Sequence, residues 1–429
     1  MHWLTVDLAS RGLGFAVGVL LLISTTISVL RTIVIPRALR STIADTVAFS
    51  IIGTARLLSR MAPTYKKRDS VMAWAGPLII LGQMIAWLLL YLFAYGLLIY
   101  GVGGTGYGES LREAGSSLFT LGFASVNTEE QTVLDFMAAA TGPILIAMMI
   151  GFLPTVYGIY LEREVDVTRL SSVAGEPAWG PEYLARHFLA GRLAEMPGDF
   201  LDWSRWASQL RMTHVTYPVL LWVRSARASR HYAVTLLAVL DAASLQIALC
   251  KSMSRSEASR LILEAGQACE VLNLAVSTHP QLRHAVPFTG VFTDGTWEHR
   301  GEARRLPSWN DGITAVQMAA DQDIMNGFDA EGVEALIRGD EEPLRITRAE
   351  FDHAYDYLQS TGFPIECDKD EGWEQFRIER ARYEFPALEL CRLSDATPAP
   401  WSGSRRIPTP IYWPTLAGDM LRELDGDEA

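Results

Sequence analysis

The side chains that most often perform catalysis or bind metal ions are few in this chain and widely spaced. Its 429 residues include four cysteines and eight histidines, and no C-x-x-C pair occurs. Cys269, His279 and His284 stand too far apart for a structural zinc site, whose ligands come in closely spaced pairs. The sequence contains neither a P-loop nor an EF-hand. We therefore predict no catalytic residues, no metal site, no cofactor and no enzymatic activity.

One glycine pattern has the form of a phosphate-binding loop. Gly101, Gly103 and Gly106 match the G-x-G-x-x-G fingerprint of dinucleotide sites. Such a site requires a buried strand before the first glycine and a helix that opens at the last one. Here an apolar run of helical length precedes the pattern, and no clear helix follows it. We interpret residues 103–108 as a flexible loop outside the membrane.

A third candidate is the segment Thr120-Leu-Gly-Phe-Ala-Ser125, which is extended in character and contains one glycine for an unusual backbone angle. Directly before it, residues 110–119 have Leu111, Ala114 and Leu118 at near-helical spacing, which predicts a short amphipathic helix. Ten residues of helix rise only about 15 Å, too little to cross a bilayer.

Long uncharged runs lie on both sides of this segment. No Asp, Glu, Lys or Arg occurs in residues 70–108 or 136–161, runs of 39 and 26 residues. A helix needs about 20 apolar residues to cross the hydrocarbon core of a bilayer. We predict an outer membrane helix at 71–100 and an inner membrane helix at 134–161.

The first 69 residues form a separate predicted region. Its uncharged run, 12–30, favours a membrane helix. The alternative is a signal peptide, because Arg11 precedes an apolar stretch, but no A-x-A cleavage site follows. Residues 41–60 place apolar side chains among charged ones, which favours an amphipathic helix lying on the membrane surface.

The net charge of −12 is unevenly distributed. Residues 1–170 carry 12 Lys/Arg and 11 Asp/Glu, whereas the rest of the chain carries 25 and 38 and is therefore at −13. This division argues against a single soluble globule and against a nucleic-acid binder with a basic surface. All four cysteines lie in the acidic part, too sparsely for a disulfide scaffold.

Basic residues between the first two uncharged runs set the expected orientation. By the positive-inside rule, this stretch faces the cytoplasm, and so does everything after about residue 162. We therefore expect a multi-pass protein of the plasma membrane with a cytoplasmic C-terminal domain. The basic residues are Arg31, Arg37, Arg40, Arg56, Arg60, Lys66, Lys67 and Arg68.

The order of membrane helix, short helix, T-L-G-F-A-S and membrane helix resembles the pore module of the potassium-channel superfamily over about residues 70–162. The resemblance implies that the backbone carbonyls of Thr120, Leu121, Gly122 and Phe123 line a selectivity filter and replace the hydration shell of K⁺ or another monovalent cation. One pore module per chain implies a homotetramer within the lipid bilayer.

Four positions depart from the family motif, which usually reads T-V-G-Y-G-D. Leucine at 121 and phenylalanine at 123 are mild changes, because the backbone coordinates the ion. Ala124 stands where the family has its second glycine, and Ser125 stands where it has an aspartate. If position 124 needs a positive φ, alanine there costs about 1–2 kcal/mol. Two alternatives therefore follow for the predicted pore: it is selective for potassium, or it is a non-selective or altered cation pore.

The predicted inner helix contains helix-breaking residues toward its cytoplasmic end. Gly151 and Pro154 favour a gating hinge there, because proline removes a backbone hydrogen bond and tends to kink a helix. The alternative is that small residues and proline are common in membrane helices and allow close packing. No ladder of arginines repeats every third residue, which argues against a voltage sensor.

The C-terminal part has helical patterns that predict an all-α cytoplasmic domain at 182–429, joined by a linker at 163–181 and ending in an extended tail. The apolar run 232–249 contains Asp241, which favours a buried bundle helix over a membrane span. Thr347 and Glu350 form a capping-box pattern.

Together these patterns predict a tetrameric cation channel, assembled or gated through its cytoplasmic domain. The alternative is a membrane-anchored signalling protein, scaffold or unrecognised enzyme in which the 110–125 segment is an ordinary loop. The sequence assigns neither a gating stimulus nor a ligand of the cytoplasmic domain.

Overall fold

The computed structural model describes residues 2–35, 41–103, 106–124, 128–277, 290–293, 296–299 and 344–403. Nearly all regular structure in these ranges is helical. The exception is an antiparallel hairpin of β1 (Gly290–Thr293) and β2 (Thr296–His299), with Gly290 opposite His299. The α-helices are α1 (His2–Val29), α2 (Thr42–Ser59), α3 (Tyr65–Met72), α4 (Ala75–Val102), α5 (Tyr107–Leu118), α6 (Glu129–Ala174), α7 (Gly180–Leu189), α8 (Met196–Thr216), α9 (Tyr232–Leu249), α10 (Ser256–Ser277), α11 (Arg348–Ser360), α12 (Lys369–Ala381) and α13 (Glu384–Leu393).

The chain forms two compact units. Unit 1 comprises residues 1–60 and 71–159, and unit 2 comprises residues 61–70 and 160–429. The N-terminal helix and the predicted pore region thus belong to one unit, whereas the sequence predicts a boundary between them at residue 69. The structure also differs at the predicted linker 163–181, because α6 continues as helix to Ala174 and α7 begins at Gly180.

In unit 1, α1 and α4 pack closely through small residues. A Cβ atom placed on Gly18 would lie 3.0 Å from the carbonyl oxygen of Ala94, and one on Gly14 would lie 3.1 Å from the Tyr100 ring. Small residues four apart allow membrane helices to approach to backbone distance. The indole N–H of Trp87 donates to Ser28 Oγ at 2.9 Å, so the interface also contains a buried polar contact.

Helix α2 also packs on α4. It begins at the cap Ser41, whose side chain accepts the N–H of Ala44. Cβ positions on Gly82 of α4 would touch Val47 and Ile51 of α2, so the apolar face of α2 contacts α4. The amphipathic pattern predicted for residues 41–60 therefore corresponds to a helix with a packed face in unit 1.

Four helical stretches are long and apolar enough to cross a membrane: Ala9–Val34, Tyr65–Val102, Glu129–Ala174 and Tyr232–Leu249. The last of these, α9, differs from the others because all of its residues are buried within unit 2. Other helices surround α9, as expected for a buried helix of a bundle.

Unit 2 is built around α9 and contains a buried ionic cluster. The Arg380 guanidinium contacts Asp241 of α9, donates to Glu384 at 2.8 Å and donates to the Trp401 carbonyl at 3.1 Å. The Tyr383 hydroxyl donates to Asp241 at 2.7 Å. Asp241 and Arg380 side chains are both about 1% exposed, so the bonds replace the hydration that burial removes.

The predicted helix start at Thr347 is confirmed. Its side chain accepts the N–H of Glu350, and the Glu350 carboxylate accepts the N–H of Thr347 in return. The sequence pattern predicts one helix at about 182–211 and another at about 369–393, and the structure divides each of them in two. Gly191, with φ of 70°, follows α7, and Tyr383 separates α12 from α13.

Candidate functional site

Helix α5 carries the 120–124 segment and is held between its neighbours by two glycines. A Cβ on Gly96 of α4 would lie 2.9 Å from Leu111, and one on Gly142 of α6 would lie 2.1 Å from the Leu118 carbonyl oxygen. A larger residue at Gly142 would therefore displace the C-terminal end of α5. The position from which the 120–124 segment leaves α5 is defined by this close approach.

Helix α5 begins at Tyr107, three residues before the predicted start. A helix therefore does open after Gly106, contrary to our expectation for the glycine pattern. The structural reason for Gly101 is packing, because a Cβ there would lie 2.6 Å from Phe15 Cβ of α1. Since α4 and not a strand precedes the pattern, the requirement for a dinucleotide site is not met.

The chain leaves α5 through two residues in the left-handed region. Thr120 has φ of 55° and Gly122 has φ of 69°. Glycine adopts this conformation freely, whereas a threonine in it costs about 1–3 kcal/mol and is retained only where neighbouring contacts enforce it. Ala124 is not among the described residues with positive φ, so the strain expected at that position is found at Thr120 instead.

The Ser117 carbonyl accepts the N–H of Thr120 at 2.9 Å, and the other contacts that hold this conformation come from Ser116 of α5. Its carbonyl oxygen accepts the N–H groups of Leu121 at 2.7 Å and Gly122 at 3.3 Å. Its hydroxyl oxygen accepts those of Phe123 at 2.9 Å and Ala124 at 3.1 Å. Ser116 is 1% exposed. Four consecutive amides of the 120–124 segment are thus directed toward α5.

The carbonyl oxygens of the same segment differ from its amides in their hydrogen bonding. Within the described residues, no hydrogen bond is directed to the carbonyls of residues 120–123. The side chains of Leu121 and Phe123 are exposed in the single chain. A backbone with its donors satisfied on one side and its acceptors unused offers a row of ligands for a hard cation. Ser125 lies outside the described residues.

Two further contacts support the segment and its base. The Arg112 guanidinium lies over the Phe123 ring, 5.3 Å from its centre. The Ser117 hydroxyl donates to Asp135 of α6 at 2.6 Å, and Glu113 is buried beside that carboxylate. Ser117 therefore contacts α6 through its side chain and the 120–124 segment through its carbonyl.

Sequence reasoning missed Ser116, Ser117 and Asp135. The available signal was the Ser-Ser pair in the last turn of the predicted short helix. A serine there can offer its hydroxyl to the chain that turns back past it. Composition alone did not distinguish that role from solvent exposure.

The predicted hinge residues lie apart from the 120–124 segment, along α6. This helix is continuous over 46 residues, and Pro143 and Pro154 both lie inside it. A Cβ on Gly151 would meet no atom of the described residues within 4 Å, so their packing does not require glycine there. The Thr155 hydroxyl donates to the Gly151 carbonyl at 3.1 Å. The hinge stays a prediction.

Much of the apolar surface of α6 is exposed in the single chain. The residues include Phe136, Ile144, Ile150, Leu153 and Tyr157, and Phe136 is 71% exposed. Soluble monomers seldom expose a continuous apolar surface of this kind, which marks contact with lipid or with another protein surface.

Comparisons of the chain with protein-family models, with curated proteins and with solved structures found no match.

Proposed function

We propose that this protein is a tetrameric cation channel of the plasma membrane, permeable to potassium, in which residues 120–124 form the selectivity filter. The observation that carries the proposal is the arrangement around Ser116. One buried residue binds four successive amides, and the carbonyls of Thr120, Leu121, Gly122 and Phe123 remain unused within the described residues. Rows of such carbonyls replace the hydration shell of a permeant ion.

The proposed assembly rests on the resemblance to the potassium-channel pore module, in which four pore segments surround a common axis. One chain offers only one row of carbonyls, and enclosing an ion requires several rows. Four copies of α5 and the 120–124 segment would provide them. The exposed apolar face of α6 supports the same assembly, because neighbouring subunits and lipid would cover it.

The departures from the family motif bear on which cation passes. Leucine and phenylalanine at positions 121 and 123 leave the backbone free to coordinate an ion. Ala124 keeps its N–H on Ser116, as Phe123 does, so its side chain replaces a glycine without loss of that bond. Potassium permeability with reduced discrimination against sodium is the expected behaviour.

Cation flux from liposomes tests the proposal. Purified protein reconstituted into potassium-loaded liposomes should release potassium, and Gly122→Asp should abolish the release. The φ of 69° makes any side chain at Gly122 strained, although the space around it is open. Gly108→Asp is the matched control, because a Cβ there also meets nothing within 4 Å and no positive φ is required.

Mass measurement in detergent provides an independent test. A tetramer is expected. A monomer or dimer, or equal potassium release from wild type and Gly122→Asp, would contradict the filter. In that case the 120–124 segment would be an ordinary loop of a membrane-anchored protein.

A further inference from the structure

A short segment of unit 2, Leu220–Ser225, which begins in a 3-10 helical turn and continues without regular structure, binds two other parts of the same unit that continue directly into membrane-spanning helices. We call it the coupling segment. It follows α8 and precedes α9, and Val219 to Trp222 are buried. Its contacts differ from one residue to the next, and each is described below.

The first partner is the end of α6. Arg163 donates to the carbonyl of Leu220 at 3.0 Å and to that of Val223 at 2.9 Å. The neighbouring Glu164 accepts the hydroxyl of Ser225 at 3.0 Å. Arg163 is 3% exposed, so this charged residue of α6 is inserted into the core of unit 2.

A buried histidine completes the Arg163 environment. His214 Nε2 lies 3.1 Å from the guanidinium. Burial, with the nearby Arg163 charge, lowers the pKa of His214 well below its ordinary value. The imidazole is therefore neutral and accepts from Arg163, which makes the anchor a set of directed hydrogen bonds and not a charge repulsion.

The second partner is α3, which leads into α4 after only two residues. Arg224 of the coupling segment lies 3.4 Å from the Asp69 carboxylate and donates to the Asp395 carbonyl at 2.7 Å. Asp395 also accepts Arg68 at 2.6 Å, and its carbonyl accepts the Tyr65 hydroxyl at 3.2 Å. The cluster therefore joins α3 to Arg224 both directly and through Asp395.

The charges of this second cluster balance. Two arginines face two aspartates, and Arg224 and Asp69 are each 8% exposed. Removing Arg224 would leave the buried Asp69 carboxylate without its ion pair, which is costly, whereas removing Arg68 would leave Asp395 paired with Arg224 alone. Both clusters lie wholly within unit 2.

We propose that the coupling segment is the mechanical link by which unit 2 controls the gate. It holds the end of the inner helix through Arg163 and the start of the outer helix through Arg224, on neighbouring residues of one short stretch of chain. Movement of this segment would displace the cytoplasmic ends of both helices together. The inference rests on the proposed channel function and identifies the segment through which unit 2 would regulate the channel.

The test compares single-channel recordings with hydrogen exchange on the full-length protein. Arg68→Gln removes the ion pair with Asp395, and Arg224→Gln removes the contacts with both Asp69 and Asp395. Arg348→Gln is the matched control, because Arg348 also binds two carboxylates and its side chain is 38% exposed against 35% for Arg68. Arg68→Gln keeps the test usable if the more buried Arg224 variant does not fold.

Both variants should raise amide exchange over residues 65–70 and change the open probability at least about fivefold, the lower end of allosteric coupling. The control should change neither. Faster exchange with an open probability equal to that of the control would overturn the inference, as would unchanged exchange. Absence of current from the wild type would contradict the proposed channel function and, with it, this inference. The exchange data would distinguish that outcome, because they report the contacts of residues 65–70 independently of current.

Discussion

The hydroxyl oxygen of Ser116 lies 2.9 Å from the amide nitrogen of Phe123, seven residues further along the chain, and accepts its N–H. The same oxygen accepts the N–H of Ala124, and the Ser116 carbonyl accepts two more amides. The backbone geometry of the 120–124 segment therefore depends on Ser116, in the last turn of α5, through both its side chain and its carbonyl. This dependence makes the segment sensitive to a very small substitution.

Ser116→Ala should greatly reduce cation flux. The substitution removes the acceptor of two amides, and each unsatisfied donor costs about 1–3 kcal/mol where water cannot replace the bond. Flux from reconstituted liposomes measures the effect. Ser110→Ala is the control, because Ser110 is also a buried serine of α5 whose hydroxyl donates to the Gly106 carbonyl. Wild-type flux from Ser116→Ala would show that the segment does not need this support.

Gly18→Leu should destabilise unit 1, whereas Gly12→Leu should not. A side chain at Gly18 would collide with the Ala94 carbonyl and with Leu98, while one at Gly12 meets nothing within 4 Å. We expect a loss of about 1–3 kcal/mol for the first, as for other overpacking substitutions. Thermal unfolding in detergent, monitored by resistance to protease, measures this loss of stability. Equal midpoints for the two variants would argue against the α1–α4 contact.

Arg380→Met should strongly destabilise unit 2. It leaves the Asp241 and Glu384 carboxylates without their arginine in a core where their side chains are at most 5% exposed, a change that costs about 3–5 kcal/mol. Tryptophan fluorescence during chemical unfolding of the full-length protein reports the difference. Arg348→Met, which removes two exposed ion pairs, should cost no more than about 1 kcal/mol. Similar losses for both would contradict the central role of the buried cluster.

Glu270 should make the stability of unit 2 depend on pH. Burial raises the pKa of its carboxyl from 4.5 to about 7, so between these values the folded state binds more protons than the unfolded state. The contribution to stability is complete below the lower pKa and is lost as the pH rises through the upper one. Glu270→Gln should remove that decline in the unfolding midpoint.

The control for this titration is Glu257→Gln. Hydrogen bonds from Ser256 and Ser254 lower the pKa of Glu257, so its substitution leaves the interval from 4.5 to about 7 unaffected. Unfolding midpoints measured across this interval compare the two variants with wild type. A decline that persists in Glu270→Gln would have to come from another group.

Elements built from local patterns were well predicted from the sequence. The apolar runs at 70–108 and 136–161 contain α4 and most of the apolar part of α6, and Thr347 caps α11 through Glu350. These features follow from bonds between residues three or four apart, so a short stretch of sequence determines them. The start of α5 was missed because Gly106 and Gly108 suggested a loop, whereas contact with α4 favours a helix from Tyr107.

The sequence by itself determined where the long helices lie, how charge divides along the chain and which segment differs from its apolar surroundings. Only the tertiary structure decided that residues 61–70 belong to unit 2, that α9 is enclosed by other helices, and that Ser116 binds the 120–124 segment. The physical reason is range. Helix formation and hydropathy act over a few residues, whereas the pairing of Asp69 with Arg224, or of Asp241 with Arg380, requires the whole chain to bring distant residues into contact.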